Sequence, residues 1–200
     1  MKGAPTIDFS TEFSALSRDI CRRVPELQHI NCDQVLFCLS RSRAQGQHGT
    51  YARIVPLRFA NGVRELSRRR GLLRETYRLP SLTHEDKEIL YLIYVFVPRF
   101  LRLSAEEKLR TIVHELFHIS DRFDGDIRRF AGRNYAHGSS RRKYNQRVDS
   151  LIKTFLEASP SEESLSLLQM TEQDWNAGKF RLVGLNIPLP KAKLVARTLL

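Results

Sequence analysis

The sequence predicts an α+β fold: a small mixed sheet with an N-terminal helix, a helix carrying a paired-histidine motif, and a further helix behind it. Three observations carry that expectation. Apolar residues at Phe9, Phe13, Leu16, Ile20 and Val24 recur in steps of three and four, which is one stripe of an amphipathic helix. The run from Ile89 to Val97 is dense in branched and aromatic residues and stops at Pro98, as a strand buried on both faces does. Ser104 and Glu107 stand three apart just before a helix-period apolar run, the signature of a capping box.

Each element follows in order. The first helix runs from Asp8 to Val24 and is stopped by Pro25. A strand is expected at Val35 to Ser40, then a polar loop from Arg41 to Gly49. A second strand, Tyr51 to Phe59, contains Pro56, which suits a sheet edge because proline offers no N–H to a ladder. Asn61-Gly62 marks a turn, and Gly71 to Pro80 shows no decisive period. The capped helix extends from Ser104 to about Ser120, with Leu109, Ile112, Val113, Leu116 and Ser120 inward. A glycine-punctuated loop, Asp121 to Gly138, leads to a helix from Ser140 to Ala158 that turns Tyr144, Val148, Leu151, Ile152 and Phe155 inward. Beyond Pro160 come a Ser/Glu-rich link, a short helix around Leu165 to Trp175, and a basic tail. The expected organisation is one domain over residues 1–160 and a partly irregular C-terminal extension over 161–200.

Composition narrows the functional classes. The chain has 200 residues, is 42% hydrophobic and carries a formal charge of +11, enough apolar matter for one buried core. No apolar run approaches the roughly 20 residues of a bilayer-crossing helix, so no membrane partner is expected. Cys21, Cys32 and Cys38 make no disulfide framework and the N-terminus has no apolar targeting core, so a reduced, cytoplasmic setting is expected. Arginines cluster at 64, 68, 69, 70, 74 and 78 and again at 128, 129, 133, 141, 142 and 147. Such charge attracts nucleic acid electrostatically, although no helix-turn-helix, aromatic RNA-binding run or Cys/His finger names a binding mode.

The chemistry centres on His114-Glu115-Leu116-Phe117-His118, an H-E-x-x-H motif inside the capped helix. Residues four apart stand one turn apart on one face, so both imidazoles can reach one ion, and imidazole suits Zn²⁺ at about 2.0–2.1 Å. Glu115, beside the first histidine, is placed to take a proton from water. Six histidines and 13 glutamates placed at random give only about 0.01 expected matches, and fewer within a helix.

Catalytic zinc usually takes three protein ligands and keeps a fourth position for water, so one Zn²⁺ per chain needs a third ligand here. His137, at the end of the glycine-punctuated loop, is the expected one. Asp124 and Glu157 are alternatives: Asp124 falls at the third-ligand spacing of the metzincins, but Asp121 replaces the glycine that their turn requires. Asp121, Asp124 and Asp126 are candidates to hold a ligand imidazole in one tautomer, or else to make only turn and ion-pair contacts. Tyr144 could support the transition state or simply pack in its helix. His29, His48 and His84 have no ligand spacing to the motif.

Taken together, Pro98-Arg-Phe-Leu101, Ser104 to Lys108, His114 to Ser120, Phe123-Asp-Gly-Asp126 and Tyr135-Ala-His-Gly138 resemble the signature of a small phage and prokaryotic metallopeptidase family. The chain is similar, more distantly, to the SprT-like and WLM-like minimal zincins. The resemblance spans about residues 30–158. It implies a zincin-like fold, His114, His118 and His137 as zinc ligands, Glu115 as catalytic base, and a polypeptide substrate. No cysteines follow the motif, so the zinc ribbon common among SprT proteins is absent. Two other readings use the same residues: a basic nucleic-acid-associated protein with a non-catalytic zinc site, and a zinc hydrolase of a non-peptide substrate.

Overall fold

A computed structural model of the chain describes residues 3–41, 50–130 and 140–199. In chain order it contains β1 (Thr6–Asp8), α1 (Phe9–Arg23), β2 (Val35–Arg41), β3 (Ala52–Pro56), β4 (Glu65–Arg70), β5 (Leu73–Arg78), β6 (Leu82–His84), β7 (Lys87–Ile89), β8 (Tyr91–Val97), α2 (Ala105–Phe117), α3 (Arg141–Glu157), α4 (Glu162–Gln169), α5 (Glu172–Asn176), β9 (Arg181–Val183) and β10 (Lys193–Leu199). No helix among the described residues is long and apolar enough to cross a membrane.

The apolar run that suggested a doubly buried strand becomes β8, the middle strand of a mixed sheet, parallel to β2 and antiparallel to β3. Side chains alternate along a strand, so β8 feeds two cores at once. Tyr91, Ile93, Val95 and Val97 enter the larger one, with Phe13, Ile20, Leu116, Val148, Phe155 and Leu167 from α1 to α4. Leu92 and Tyr94 enter the smaller one with Leu36, Cys38, Val55 and Leu57, where Leu82, Leu185 and Ile187 pack against them.

β3 lies at the edge of this sheet, as Pro56 suggested. Tyr51 and Leu57 make their main-chain bonds to Phe96 and Leu90 on the β8 side. Alternation then turns Ile54 and the prolyl nitrogen of Pro56 outward, towards α2.

α1 starts where Asp8 accepts hydrogen bonds from the Ser10 and Thr11 N–H groups, and α2 carries the expected reciprocal cap between Ser104 and Glu107. One face of α2 buries Leu109, Ile112, Val113 and Leu116, as its spacing predicted. Lys108 is buried with them, and its ammonium donates to the Leu168 and Met170 carbonyls at 3.0 and 2.6 Å. Those carbonyls end α4 and have no helical partner of their own, so a cation on α2 closes α4.

α2 ends at Phe117, three residues before the expected Ser120, because the chain folds back on itself. The Ser120 N–H donates to Asp126, the Arg128 N–H donates to His118, and Ile119 bridges Ile127. Gly125 sits in the bend with φ of +84°, and a Cβ there would stand 2.4 Å from Arg58 Cγ, so neither the conformation nor the space admits another residue. The Tyr91 hydroxyl locks the bend, accepting from the Gly125 N–H and donating to the Asp126 carbonyl, each at 2.9 Å.

The Asp126 carboxylate, almost fully buried, accepts from the Asn61 and Ile127 N–H groups and from two nitrogens of Arg129, all at 2.8–2.9 Å. Burial alone raises its pKa, but the Arg129 guanidinium and the two amides outweigh burial and hold it below the usual carboxylate range. A carboxyl depressed in the folded state stabilises above its unfolded pKa and loses that contribution as pH falls through its folded pKa. Asp126→Asn is therefore expected to cost about 2–3 kcal/mol at neutral pH, less than a fully buried pair because Arg129 is partly in water. In urea denaturation the gap between variant and parent should narrow as pH falls below about 3.9, the ordinary Asp value, where the parent begins to lose the contribution of its lowered carboxyl.

The C-terminal third departs most from expectation. The helix expected around Leu165 to Trp175 is two helices, because Met170 is extended and the Thr171 hydroxyl caps α5 by accepting from the Asp174 N–H at 3.1 Å. The basic tail supplies two strands: β9 pairs in parallel with β1, and β10 joins β5 and β4 in a separate antiparallel sheet. β4 itself carried no strand signal, since all six of its residues are exposed and nothing along it alternates.

Candidate metal and catalytic site

The capped α2 presents two opposite faces: the apolar stripe enters the core, while His114, Glu115 and His118 face β3 and the start of α3. His118 is buried and His114 half-buried, with their Nε2 atoms 3.0 Å apart and their rings near perpendicular at 84°. Two nitrogens held about 2.0–2.1 Å from one tetrahedral ion lie about 3.3 Å from each other, so the pair needs to open by only about 0.3 Å to share a zinc-sized ion. Imidazole pairs at this spacing are the donor set that zinc favours.

Glu115 is buried beside them, 8% exposed, and its Oε2 accepts from the outward N–H of Ile54 on β3 at 2.8 Å. Burial pushes its carboxyl up to about 7, with the Ile54 N–H pulling modestly the other way. A bound dication next to it would draw that value down again. The main chain of an edge strand thus holds the one carboxylate of the motif, a partnership that no side-chain pattern announces.

Tyr144 comes onto the site from the first turn of α3. Its hydroxyl lies 3.3 Å from His118 Nδ1 and donates to the His114 carbonyl at 3.4 Å. With the phenol proton directed at that carbonyl, the phenol oxygen accepts from Nδ1–H of His118, which leaves the Nε2 lone pair facing His114. Burial drives the phenol pKa far up, so it stays protonated.

The other sequence candidates fall elsewhere. Asp121 is exposed and pairs with Arg128 at 2.6 Å. Asp124 accepts from the Asp126 N–H at 3.2 Å and packs on Gly62, and Asp126 holds Arg129. Their contacts are those of a turn stitched by arginines, and it is Tyr144 that reaches a histidine ring. Glu157 lies near the C-terminal end of α3 beside Lys153, thirteen residues beyond Tyr144, or about 20 Å along the helix axis. His137 lies outside the described residues. Among the described residues no three His, Cys, Asp or Glu side chains gather around one point.

Among known protein families, residues 9–155 match the model described as "Putative phage metallopeptidase". No curated protein matches, and no solved structure does.

Proposed function

The chain belongs to the phage metallopeptidase family, and from that premise we propose a zinc-dependent peptidase that holds its ion on His114, His118 and His137 and uses Glu115 as general base. One observation supports this reading above the rest: two histidine Nε2 atoms 3.0 Å apart with a buried carboxylate between the same helix and a sheet edge. When bound, the metal supplies Lewis acidity towards water and the scissile carbonyl. Glu115 takes the proton of the attacking water and returns it to the leaving amine. The Ile54 N–H fixes the orientation of Glu115, and Tyr144 fixes the tautomer of His118. The substrate lies extended along the outer edge of β3, where outward main-chain carbonyls accept its N–H groups with little demand on sequence, the outward Ile54 N–H being held by Glu115.

Metal removal tests the reading directly. Dialysis against 1,10-phenanthroline should strip about one zinc per chain and abolish cleavage of unfolded casein, and equimolar Zn²⁺ should restore both. Zinc that binds and leaves without any effect on casein cleavage would contradict the proposal.

A further inference from the structure

The charge of this protein is concentrated in one place. Residues 63–78 and 191–199 hold nine Lys or Arg and two Glu, so about an eighth of the chain carries +7 of the net +11. These segments build the β4–β5–β10 sheet, in which every residue of β4 and β10 is exposed.

The two faces of that sheet differ. On one, the cations have intramolecular partners: Arg197 meets Glu75 at 2.7 Å, Arg70 approaches the same carboxylate, and Arg68 stacks 4.8 Å above the Tyr77 ring. On the other, pairing places Arg69 opposite Arg74, Ser67 opposite Thr76, and Glu65 opposite Arg78 beside Lys193. The Ser67 and Thr76 hydroxyls meet at 2.7 Å, which fixes that row on one face. Glu65 engages Arg78 and the Arg69 Nε donates to the Gly71 carbonyl at 2.9 Å, but among the described residues no carboxylate lies within ion-pair distance of Arg69, Arg74 or Lys193. Like charges directly opposite each other destabilise a sheet, so the Arg69–Arg74 row is suited to an external anion.

We infer that this face docks on duplex DNA through its phosphates, without reading bases. The cationic rows are four residues apart, about 13–14 Å along the strands. The major groove separating two phosphate backbones is about 12 Å wide, so the rows can sit on opposite backbones with the hydroxyl row over the groove. Guanidinium forks meet phosphate oxygens two at a time, and serine and threonine hydroxyls add neutral contacts of the kind that position proteins on DNA. A flexible acidic peptide makes no use of a fixed separation between charge rows, which favours the duplex.

The test is fluorescence anisotropy of a labelled mixed-sequence 20-bp duplex with the full chain across a potassium chloride series. The wild-type protein should bind at 50 mM salt with a log–log salt slope of about −3 or steeper. Replacing Arg69, Arg74, Arg78 and Lys193 with Gln should weaken binding at least about tenfold and make the slope shallower by about 3. Replacing Arg22, Lys143, Lys153 and Lys179 with Gln removes the same charge elsewhere and should change affinity less than about threefold. Arg69→Lys with Arg74→Lys keeps the charge, loses the forks and should retain the slope, a readout that survives if the Gln variant unfolds. The assignment is overturned by no duplex binding at 50 mM salt, by equal losses in the two Gln variants, by tighter binding of a 20-nucleotide single strand, or by polyglutamate competing as well as duplex at equal charge.

Discussion

Glu115→Gln is expected to lower peptide hydrolysis by about 10²–10⁴-fold while zinc content stays at, and melting temperature at or above, parental values. The amide is nearly isosteric with the carboxylate and its oxygen still accepts from the Ile54 N–H, so the contact between α2 and β3 survives. What disappears is the capacity to take a proton and return it. The carboxyl of Glu115 is only 8% exposed, and replacing a buried ionisable group with a neutral one removes a desolvation penalty rather than adding one. Casein cleavage, metal analysis and a thermal melt on the same preparation separate these effects. Full turnover by the variant would remove Glu115 from the mechanism.

The histidines carry the second large effect. His114→Ala or His118→Ala should weaken zinc binding by more than about 100-fold, beyond what loss of a supporting hydrogen bond costs. Tyr144→Phe, which removes the hydroxyl 3.3 Å from His118 Nδ1, should fall in the range of about 10–100-fold. A competition titration with a chromophoric chelator reads both. The same titration decides the third ligand: His137→Ala should behave like the first pair, whereas Asp124→Ala should retain zinc, because the Asp124 carboxylate is engaged with its own loop. If zinc retention followed Asp124 and not His137, the proposed ligand set would be wrong.

What the sequence revealed and what it concealed divide along a physical line. α1, α2 and α3 were legible because each buries one face and has a local capping signal, so period and cap agree within a few residues. β8 was legible because burial on both faces leaves no room for polar residues. β4 and β10 were not, since an exposed strand has no periodicity to betray it and its partner can be more than a hundred residues away, as Leu194 is from Tyr77. At the site the side chains of the motif were readable, since four-residue spacing on a helix is a geometric statement. The Ile54 amide was not, because a main-chain donor is the same at every position and only the fold selects it. Tyr144 lay between: its spacing marks the inner face of α3, and only the packing of α3 on α2 brings its phenol to an imidazole.

Lys108 has a consequence for the relation between the two ends of this chain. The family match stops at residue 155, yet the ammonium six residues before His114 finds its acceptors at Leu168 and Met170. Cutting away everything past the matched region would leave a stranded positive charge in an oily slot on the very rod that presents the two histidine rings. The chain's last fifth is thus a keystone for the helix that carries the paired histidines, and a chain trimmed to its recognisable family segment would be trimmed too far.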